Sequence, residues 1–244
     1  MKILSIGNSF SEDAWHHLSP MALECDDGFC HGNLVIGGCS LERHFNNLLS
    51  GEPSYGYQKT GHAVRAFSLK DGINDEDWDI VTLQQVSGDS GHPSTFFPYI
   101  FALADYIKQA RPDAEIVLHK TWPYNKGSSH PRFPEYGSDP DRMLEEIDAC
   151  YAEVKKRLGL NRVIPTGNVI NRLRRQTDIE LYRDNFHLSL VEGRYAASAT
   201  WFEYLKLGDL MKNSYRPLVE GHRLSERNAE IIKKIIINEV AEYA

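Results

Sequence analysis

The feature that most constrains the fold of this chain is an alternation of short apolar runs with longer segments of helical periodicity. The runs are rich in Ile, Val and Leu and predict buried strands; they cover residues 2–6, 34–36, 79–83, 115–119 and 162–164. Segments with apolar residues at helical spacing lie between and after them, over residues 12–25, 41–49, 97–109, 141–158, 191–205 and 225–243. Strands that alternate with helices are joined by right-handed crossovers, so the pattern predicts a parallel sheet with helices on both faces.

Three stretches lie outside this alternation. Residues 51–78 are rich in glycine and polar residues and predict either a hairpin or an irregular excursion, whereas residues 125–140 predict a long surface loop. The chain after residue 164 is predicted to be helical apart from one loop near Asp184. No internal repeat, low-complexity tract or change of composition marks a linker, so we expect one domain over residues 1–244.

The composition excludes several classes of partner. The formal net charge is −7, which disfavours nucleic-acid binding because phosphate binding needs clustered Lys and Arg. The one basic cluster, Arg172, Arg174 and Arg175, is typical of a solvated helix face. No apolar run approaches the roughly 20 residues of a membrane span. Neither nucleic acid nor a membrane is therefore expected as a partner, and the oligomeric state stays open.

The N-terminal residues and the cysteines predict a cytoplasmic protein. Residues 1–7 lack the apolar region and the small-residue cleavage site of a secretory signal. Four cysteines are too few for a disulfide scaffold, which favours reduced thiols. Cys25, Cys30 and His31 could in principle hold a metal ion, but their spacing matches no common zinc pattern, so no metal is expected.

Ligands of such sheets bind beyond the carboxyl ends of the strands, which directs attention to the residues that follow each strand. The first strand is followed by residues 7–11, Gly-Asn-Ser-Phe-Ser. A glycine at this point permits a sharp turn, and the next hydroxyl can either point into the crevice or cap a helix. Ser9 is therefore a candidate nucleophile, which would need a base to take its proton. The alternative is that Ser9 or Ser11 caps the helix predicted from residue 12.

A candidate base lies far along the chain, where Asp184 precedes His187 by three residues. At this spacing on a loop, the carboxylate can accept a hydrogen bond from one imidazole nitrogen, and the other nitrogen can take a serine proton. The alternative is an N-capping aspartate beside a surface histidine, since 10 histidines make chance pairings common.

Two further strand ends carry groups that could bind an oxyanion. Gly37 and Gly38 follow the second strand, and consecutive glycines let backbone N–H groups approach a ligand closely. The alternative there is a tight strand-to-helix turn. Gln84 and Gln85 follow the third strand, where a side-chain amide could donate to the same oxyanion.

Together these segments resemble the sequence blocks of the SGNH (GDSL-like) hydrolases. Residues 7–11 resemble block I, with Asn8 where most members have Asp, and residues 36–38 resemble block II, whose glycine donates a backbone N–H to the oxyanion. The Asp184-x-x-His187 segment matches block V, which supplies the orienting Asp and the base. Block III departs from the family, since Gly-x-Asn-Asp is replaced by a segment that begins with Gln84 and Gln85.

The layout over roughly residues 1–205, including Trp-Pro after the fourth strand, resembles the DUF4886 branch of this superfamily. The resemblance implies a three-layer α/β/α sandwich around a flavodoxin-like five-stranded parallel sheet. It also implies a serine esterase without metal or organic cofactor, in which Ser9 attacks, His187 is the base and Asp184 orients it. The oxyanion is then bound by Gly38 and by Gln85, with Gln84 as the substitute.

The substrate is the least constrained part of this prediction. Trp122 and Tyr124 follow the fourth strand, where they are predicted either to stack on a sugar ring or, for Trp122, to close the edge of the core. The resemblance includes many carbohydrate deacetylases, so a small acyl ester on a sugar is the leading prediction. Short-chain lipid esters and other carboxylic esters stay open.

Two functions of other classes compete with the esterase. The first is a catalytically silent module that binds a carbohydrate or another ligand in the same crevice, a reading motivated by the atypical block III. The second is a flavodoxin-type nucleotide or flavin binder. It is disfavoured because a phosphate cradle needs several donors in a glycine-rich loop, and residues 7–11 contain one glycine.

Overall fold

The computed structural model describes residues 1–243, which divide into two compact units. The first unit comprises Met1–Glu12, Phe29–His119 and Glu146–Val163. The second comprises Asp13–Gly28, Lys120–Glu145 and the described chain from Ile164. The expectation of one domain over residues 1–244 stays a prediction.

The main sheet has seven strands in the order β4-β3-β2-β1-β5-β6-β7. The strands are β1 (Lys2–Gly7), β2 (Cys30–Val35), β3 (Tyr55–Lys59), β4 (His62–Phe67), β5 (Ile80–Leu83), β6 (Glu115–His119) and β7 (Val163–Ile164). The β1 strand pairs in parallel with both β2 and β5, and β5 pairs in parallel with β6. The α/β class is therefore confirmed, and strands occur at all five predicted places in the flavodoxin-like order, within a sheet of seven strands rather than five. The second strand was predicted over residues 34–36 but begins at Cys30 and ends at Val35, because its first half carries buried polar residues that do not form an apolar run.

The strands could be predicted from apolar runs because they are buried. Every residue of β5 is buried, and β1 is buried after Lys2, as expected for strands covered on both faces. The predicted excursion over residues 51–78 contains a hairpin. Its strands β3 and β4 extend the sheet in antiparallel fashion beside β2, and β4 is the exposed edge.

The helices follow the predicted pattern in most places. They are α1 (Ser9–Trp15), α2 (Leu18–Leu23), α3 (Leu41–Ser50), α4 (Leu69–Asn74), α5 (Tyr99–Ala110), α6 (Pro140–Leu158), α7 (Thr166–Gln176), α8 (Glu192–Tyr204) and α9 (Glu226–Tyr243). The prediction of one helix over residues 12–25 is wrong, because α1 and α2 are separate. Pro20 has no N–H to bond the carbonyl of His16, and its ring would clash with that carbonyl, so a continuous helix is broken there.

The prediction that the chain after residue 164 is helical, apart from one loop, is also wrong. Residues 206–225 contain a small hairpin of β8 (Leu218–Val219) and β9 (His222–Arg223), which pair antiparallel. Its two turn residues, Glu220 and Gly221, both have positive φ angles of 51° and 85°, as a two-residue hairpin turn requires. None of the helices within residues 1–243 is both long and apolar enough to cross a membrane.

Candidate active site

The first strand ends in a tight turn that places Ser9 at the start of α1. Gly7 is buried there, and a Cβ on it would lie 2.6 Å from Ser11 Oγ and 3.0 Å from Gln84 Cδ, so only glycine fits. Asn8 caps the helix: its Oδ1 accepts from the Phe10 N–H at 3.0 Å, and its carbonyl accepts from the Glu12 N–H at 3.1 Å.

This geometry decides the alternative left open for the serines. The capping side chain belongs to Asn8, so neither Ser9 nor Ser11 caps the helix. Ser11 is buried, and its hydroxyl oxygen lies 2.8 Å from the Asn8 carbonyl and 2.9 Å from Asn33 Oδ1. Ser9 is half-buried and is the first residue of α1; its role as the nucleophile stays a prediction.

Asn8 also links this turn to the neighbouring strand ends. Its Nδ2 donates to the Cys39 carbonyl at 3.0 Å, and its Oδ1 accepts from Gln84 Nε2 at 2.9 Å. Gln84 Oε1 in turn lies 2.7 Å from His119 Nδ1. Burial lowers the pKa of His119 to about 3, so this chain of hydrogen bonds is neutral and fixes the turns after β1 and β2 together.

Gly38 lies at the turn that Asn8 holds. Its φ is +61°, a conformation that favours glycine. Gly38 and Gly37 are exposed, and no atom lies within 4 Å of the place where a Cβ on Gly38 would be. The Ser40 side chain accepts from the Arg43 N–H and caps α3. The turn therefore leaves open space beside the Gly38 backbone, where a ligand oxygen could approach.

The two glutamines after β5 are buried and occupied by structural hydrogen bonds. Gln85 Nε2 donates to the Thr95 carbonyl at 2.9 Å and lies 3.1 Å from Thr95 Oγ1, while its Oε1 accepts from the Leu41 and Val86 N–H groups. Gln84 Nε2 donates to Asn8. Donation to an oxyanion by Gln85 would therefore require one of its two bonds to Thr95 to exchange, whereas the bond to Asn8 uses one of the two amide hydrogens of Gln84. The role assigned to both residues stays a prediction.

The second unit brings Asp184 and His187 together. Asp184 Oδ1 accepts from the Phe186 and His187 N–H groups at 3.2 and 2.6 Å, and Oδ2 lies 2.7 Å from His187 Nδ1. Partial burial opposes ionisation of Asp184, but the hydrogen bonds from His187 and Phe186 outweigh it and lower the pKa of this carboxyl. The carboxylate therefore holds both the loop backbone and the imidazole ring; the catalytic role assigned to this pair stays a prediction.

Aromatic side chains contact the loop that carries Asp184 and His187. The Trp122 indole N–H donates to the Phe186 carbonyl at 2.9 Å, and Tyr182 Oη donates to the Pro123 carbonyl at 3.0 Å. The Phe186 ring packs on the His187 ring, with centroids 4.1 Å apart, and on Tyr124 at 5.9 Å.

This packing can be compared with the prediction that Trp122 and Tyr124 stack on a sugar ring. Trp122 and Tyr124 are both 0% exposed, so neither ring presents a face to a ligand in this structure. Burial favours the alternative that Trp122 closes the edge of the core, and the bond to Phe186 gives it a second role in shaping the loop. Binding of substrate by these two residues stays a prediction.

The predicted site residues thus fall into two groups. Ser9, Gly38, Gln84 and Gln85 lie in the first unit, and Asp184, His187, Trp122 and Tyr124 lie in the second. Within residues 1–243, no group of three or more His, Cys, Asp or Glu side chains is arranged to hold a metal ion.

Comparisons with known proteins identify the fold. The chain has the fold of the SGNH hydrolases: a putative SGNH hydrolase from Slackia heliotrinireducens superposes with a TM-score of 0.60 at 22% identity, over 83% of this chain and 97% of that one. An acetylxylan esterase from Geobacillus stearothermophilus, Axe2, superposes with a TM-score of 0.55 at 11% identity, over 85% and 94% of the two chains. At these identities the likeness concerns the fold alone.

The comparison of sequences identifies the family to which this chain belongs. The model of the family described as domain of unknown function DUF4886 matches residues 2–238, and the chain belongs to this family. A crystal structure of a DUF4886 family protein from Bacteroides uniformis superposes with a TM-score of 0.91 at 31% identity, over 99% of this chain and 95% of that one. A search of curated proteins gave no match.

Proposed function

We propose that this protein is a serine esterase that hydrolyses a small acyl ester, with a carbohydrate O-acetyl group as the leading substrate. Ser9 is the nucleophile, His187 the general base and Asp184 the residue that orients the base. The observation that carries the proposal is the 2.7 Å contact between Asp184 Oδ2 and His187 Nδ1, on a fold shared with SGNH hydrolases.

The roles of the two imidazole nitrogens follow from that contact. An ionised Asp184 accepts a hydrogen bond from Nδ1–H, so Nε2 is the nitrogen that takes the serine proton. As Ser9 Oγ bonds to the ester carbonyl carbon, its proton passes to Nε2 and the carbonyl oxygen becomes an oxyanion. His187 then returns the proton to the leaving alcohol, and a water molecule repeats the sequence on the acyl-enzyme.

The oxyanion is held in this proposal by the backbone N–H groups of Ser9 and Gly38. The open space beside Gly38 and its fixed positive φ support this role. Gln85 is the proposed third donor, with Gln84 as the substitute. The Gln85 amide donates to Thr95, so Gln85 can donate to the oxyanion only if one of its N–H groups exchanges Thr95 for the substrate oxygen.

The substrate class is supported by comparison rather than by a pocket. The Geobacillus neighbour is an acetylxylan esterase, and two of its solved structures are of catalytic mutants in which a serine or an aspartate was replaced by alanine. These are the residue types proposed here for nucleophile and orienting acid.

Hydrolysis of p-nitrophenyl acetate and of an acetylated xylo-oligosaccharide by the purified chain tests the proposal. Ser9→Ala should lower kcat/KM by at least about 10³-fold, since loss of a triad member typically costs this much or more. Ser11→Ala is the matched control. It removes a buried hydrogen bond two residues away and should lower thermal stability while leaving kcat/KM within a few-fold of the original chain.

Two results would count against the esterase. Equal loss of activity in both serine variants, at equal folded fraction, would remove Ser9 from its role. A folded chain that binds acetylated oligosaccharide but hydrolyses neither ester would favour the silent binding module.

A further inference from the structure

The loop that carries Asp184 and His187 is fastened by a carboxylate that lies far from it in the sequence. Asp13 Oδ2 accepts from the Leu188 N–H at 2.9 Å, and Oδ1 lies 3.0 Å from Arg183 Nη1 and 2.8 Å from Arg194 Nε. Arg183 also donates to the Leu188 carbonyl. Arg183 directly precedes Asp184, and Leu188 directly follows His187, so this cluster holds the chain on both sides of the pair.

The centre of this cluster is buried. The Asp13 side chain is 1% exposed, Arg194 is 13% exposed and Arg183 is 33% exposed. A buried carboxylate must keep its partners, because removal of one leaves an uncompensated charge away from water. The Arg183 N–H also donates to the His187 carbonyl at 3.0 Å. The segment between Arg183 and Leu188 therefore has little freedom to change its conformation.

We infer that Asp13 is a positioning residue for the base: with Arg183 and Arg194, it holds the loop in the conformation that keeps His187 Nδ1 on Asp184. Asp13 lies on α1, the helix that begins at Ser9. The catalytic meaning of this inference rests on the proposed function. Its structural content, the dependence of the Asp184–His187 hydrogen bond on Asp13, can be measured without any substrate.

Asp13→Asn is the first test variant. The amide keeps the size of the side chain and one acceptor oxygen, but its NH2 group cannot accept from an arginine. If the remaining oxygen faces the Leu188 N–H, the guanidinium groups of Arg183 and Arg194 lose their shared acceptor. If it faces the guanidinium groups, the Leu188 N–H loses its acceptor and meets the amide NH2 instead. Either orientation breaks a bond that fastens the loop, and both remove the negative charge that the two arginines share.

Two readouts separate positioning from general stabilisation. The first is the downfield proton resonance of His187 Nδ1–H, which reports the hydrogen bond to the Asp184 carboxylate and is assigned by its absence in His187→Gln. The second is the division of any activity loss between kcat and KM. A misplaced base lowers kcat, because a small displacement of a catalytic group can reduce the rate of reaction by up to about 10²-fold. It leaves substrate binding, and therefore KM, unchanged.

Folded Asp13→Asn should lose or shift this resonance, lower kcat for p-nitrophenyl acetate by about 10–10²-fold and keep KM within about twofold. Arg183→Gln, which leaves Arg194 in place, should move both readouts in the same direction by less, and it serves if Asp13→Asn does not fold. Arg172→Gln is the matched control, because Arg172 is 27% exposed and pairs with the buried Glu239 at 2.7 Å. It should change neither readout.

The inference is overturned if folded Asp13→Asn and Arg183→Gln keep the resonance and the kcat of the original chain. It is also overturned if Arg172→Gln causes the same losses, since the effect would then be a general loss of stability. A chain that hydrolyses no ester but loses the resonance in Asp13→Asn would refute the proposed function and leave the positioning role standing.

Discussion

Four buried histidines should make the stability of this protein fall steeply in mild acid. Burial lowers the pKa of His17 to about 4 and the pKa values of His31, His44 and His119 to about 3. In the unfolded chain each imidazole has a pKa of about 6.5. Between these values the unfolded state binds the extra proton, so the contribution is complete above about pH 6.5 and is lost as the pH falls toward the folded values.

The magnitude follows from the number of groups. Each neutral histidine lowers the free energy of unfolding by about 1.4 kcal/mol per pH unit below pH 6.5, so four give about 5–6 kcal/mol per unit. A domain of this kind is typically stable by about 5–15 kcal/mol. We therefore expect acid unfolding with a midpoint between about pH 4 and 5.5.

Urea unfolding followed by tryptophan fluorescence at pH 7.5, 6.5, 5.5 and 5.0 measures this slope. His119→Gln removes one titrating group, and its amide can still donate to Gln84, so the slope should drop by about 1.4 kcal/mol per pH unit. His62→Gln, on the exposed strand β4, is the control for the substitution itself. A free energy of unfolding that stays flat between pH 7.5 and 5.5, or an unchanged slope in His119→Gln, would refute the reasoning.

Three further substitutions test the turns and the base. Asp184→Asn should lower kcat by about 10³–10⁴-fold with a small change in KM, because the imidazole loses the carboxylate that fixes its tautomer; steady-state kinetics on p-nitrophenyl acetate measures this, and a loss below tenfold would contradict it. Gly38→Ala should lower the free energy of unfolding by about 1–2 kcal/mol, because the φ angle of Gly38 is +61°. Gly37→Ala is the control and should be neutral, because φ is not positive at Gly37 and a Cβ there would meet no atom within 4 Å. Equal effects of the two substitutions would refute the account of this turn. Gly7→Ala should destabilise the chain by about 1–3 kcal/mol or more in urea unfolding, because its Cβ would lie 2.6 Å from Ser11 Oγ; near-wild-type stability would show that the turn adapts.

The strands could be predicted from the sequence because buried parallel strands are continuous apolar runs. The residues of β5 carry this signal directly, since every one of them is buried. The break between α1 and α2 was missed because the spacing of apolar residues continues through it, although Pro20 marks it. The hairpin of β8 and β9 was missed because each strand has only two residues, too few to show a period.

The site was predictable only where its signals are local. Asp184 and His187 are three residues apart, so their spacing allows the pairing, and the resemblance to block V favoured it over a chance pair. Asp13 binds the same loop from 175 residues away, and no local pattern announces such a contact. The full commitment of the Gln85 amide and the complete burial of Trp122 likewise depend on tertiary packing, which periodicity does not report.

The nucleophile is the centre of this account, and covalent labelling tests it most directly. The purified chain is treated with a fluorophosphonate, digested and mapped by mass spectrometry, with Ser9→Ala and His187→Gln treated in parallel. We expect one label per chain on Ser9, no label in Ser9→Ala and strongly slowed labelling in His187→Gln, because the base activates the hydroxyl. A label on Ser11 or Ser87, or no label on a folded chain with fresh probe, would contradict the account.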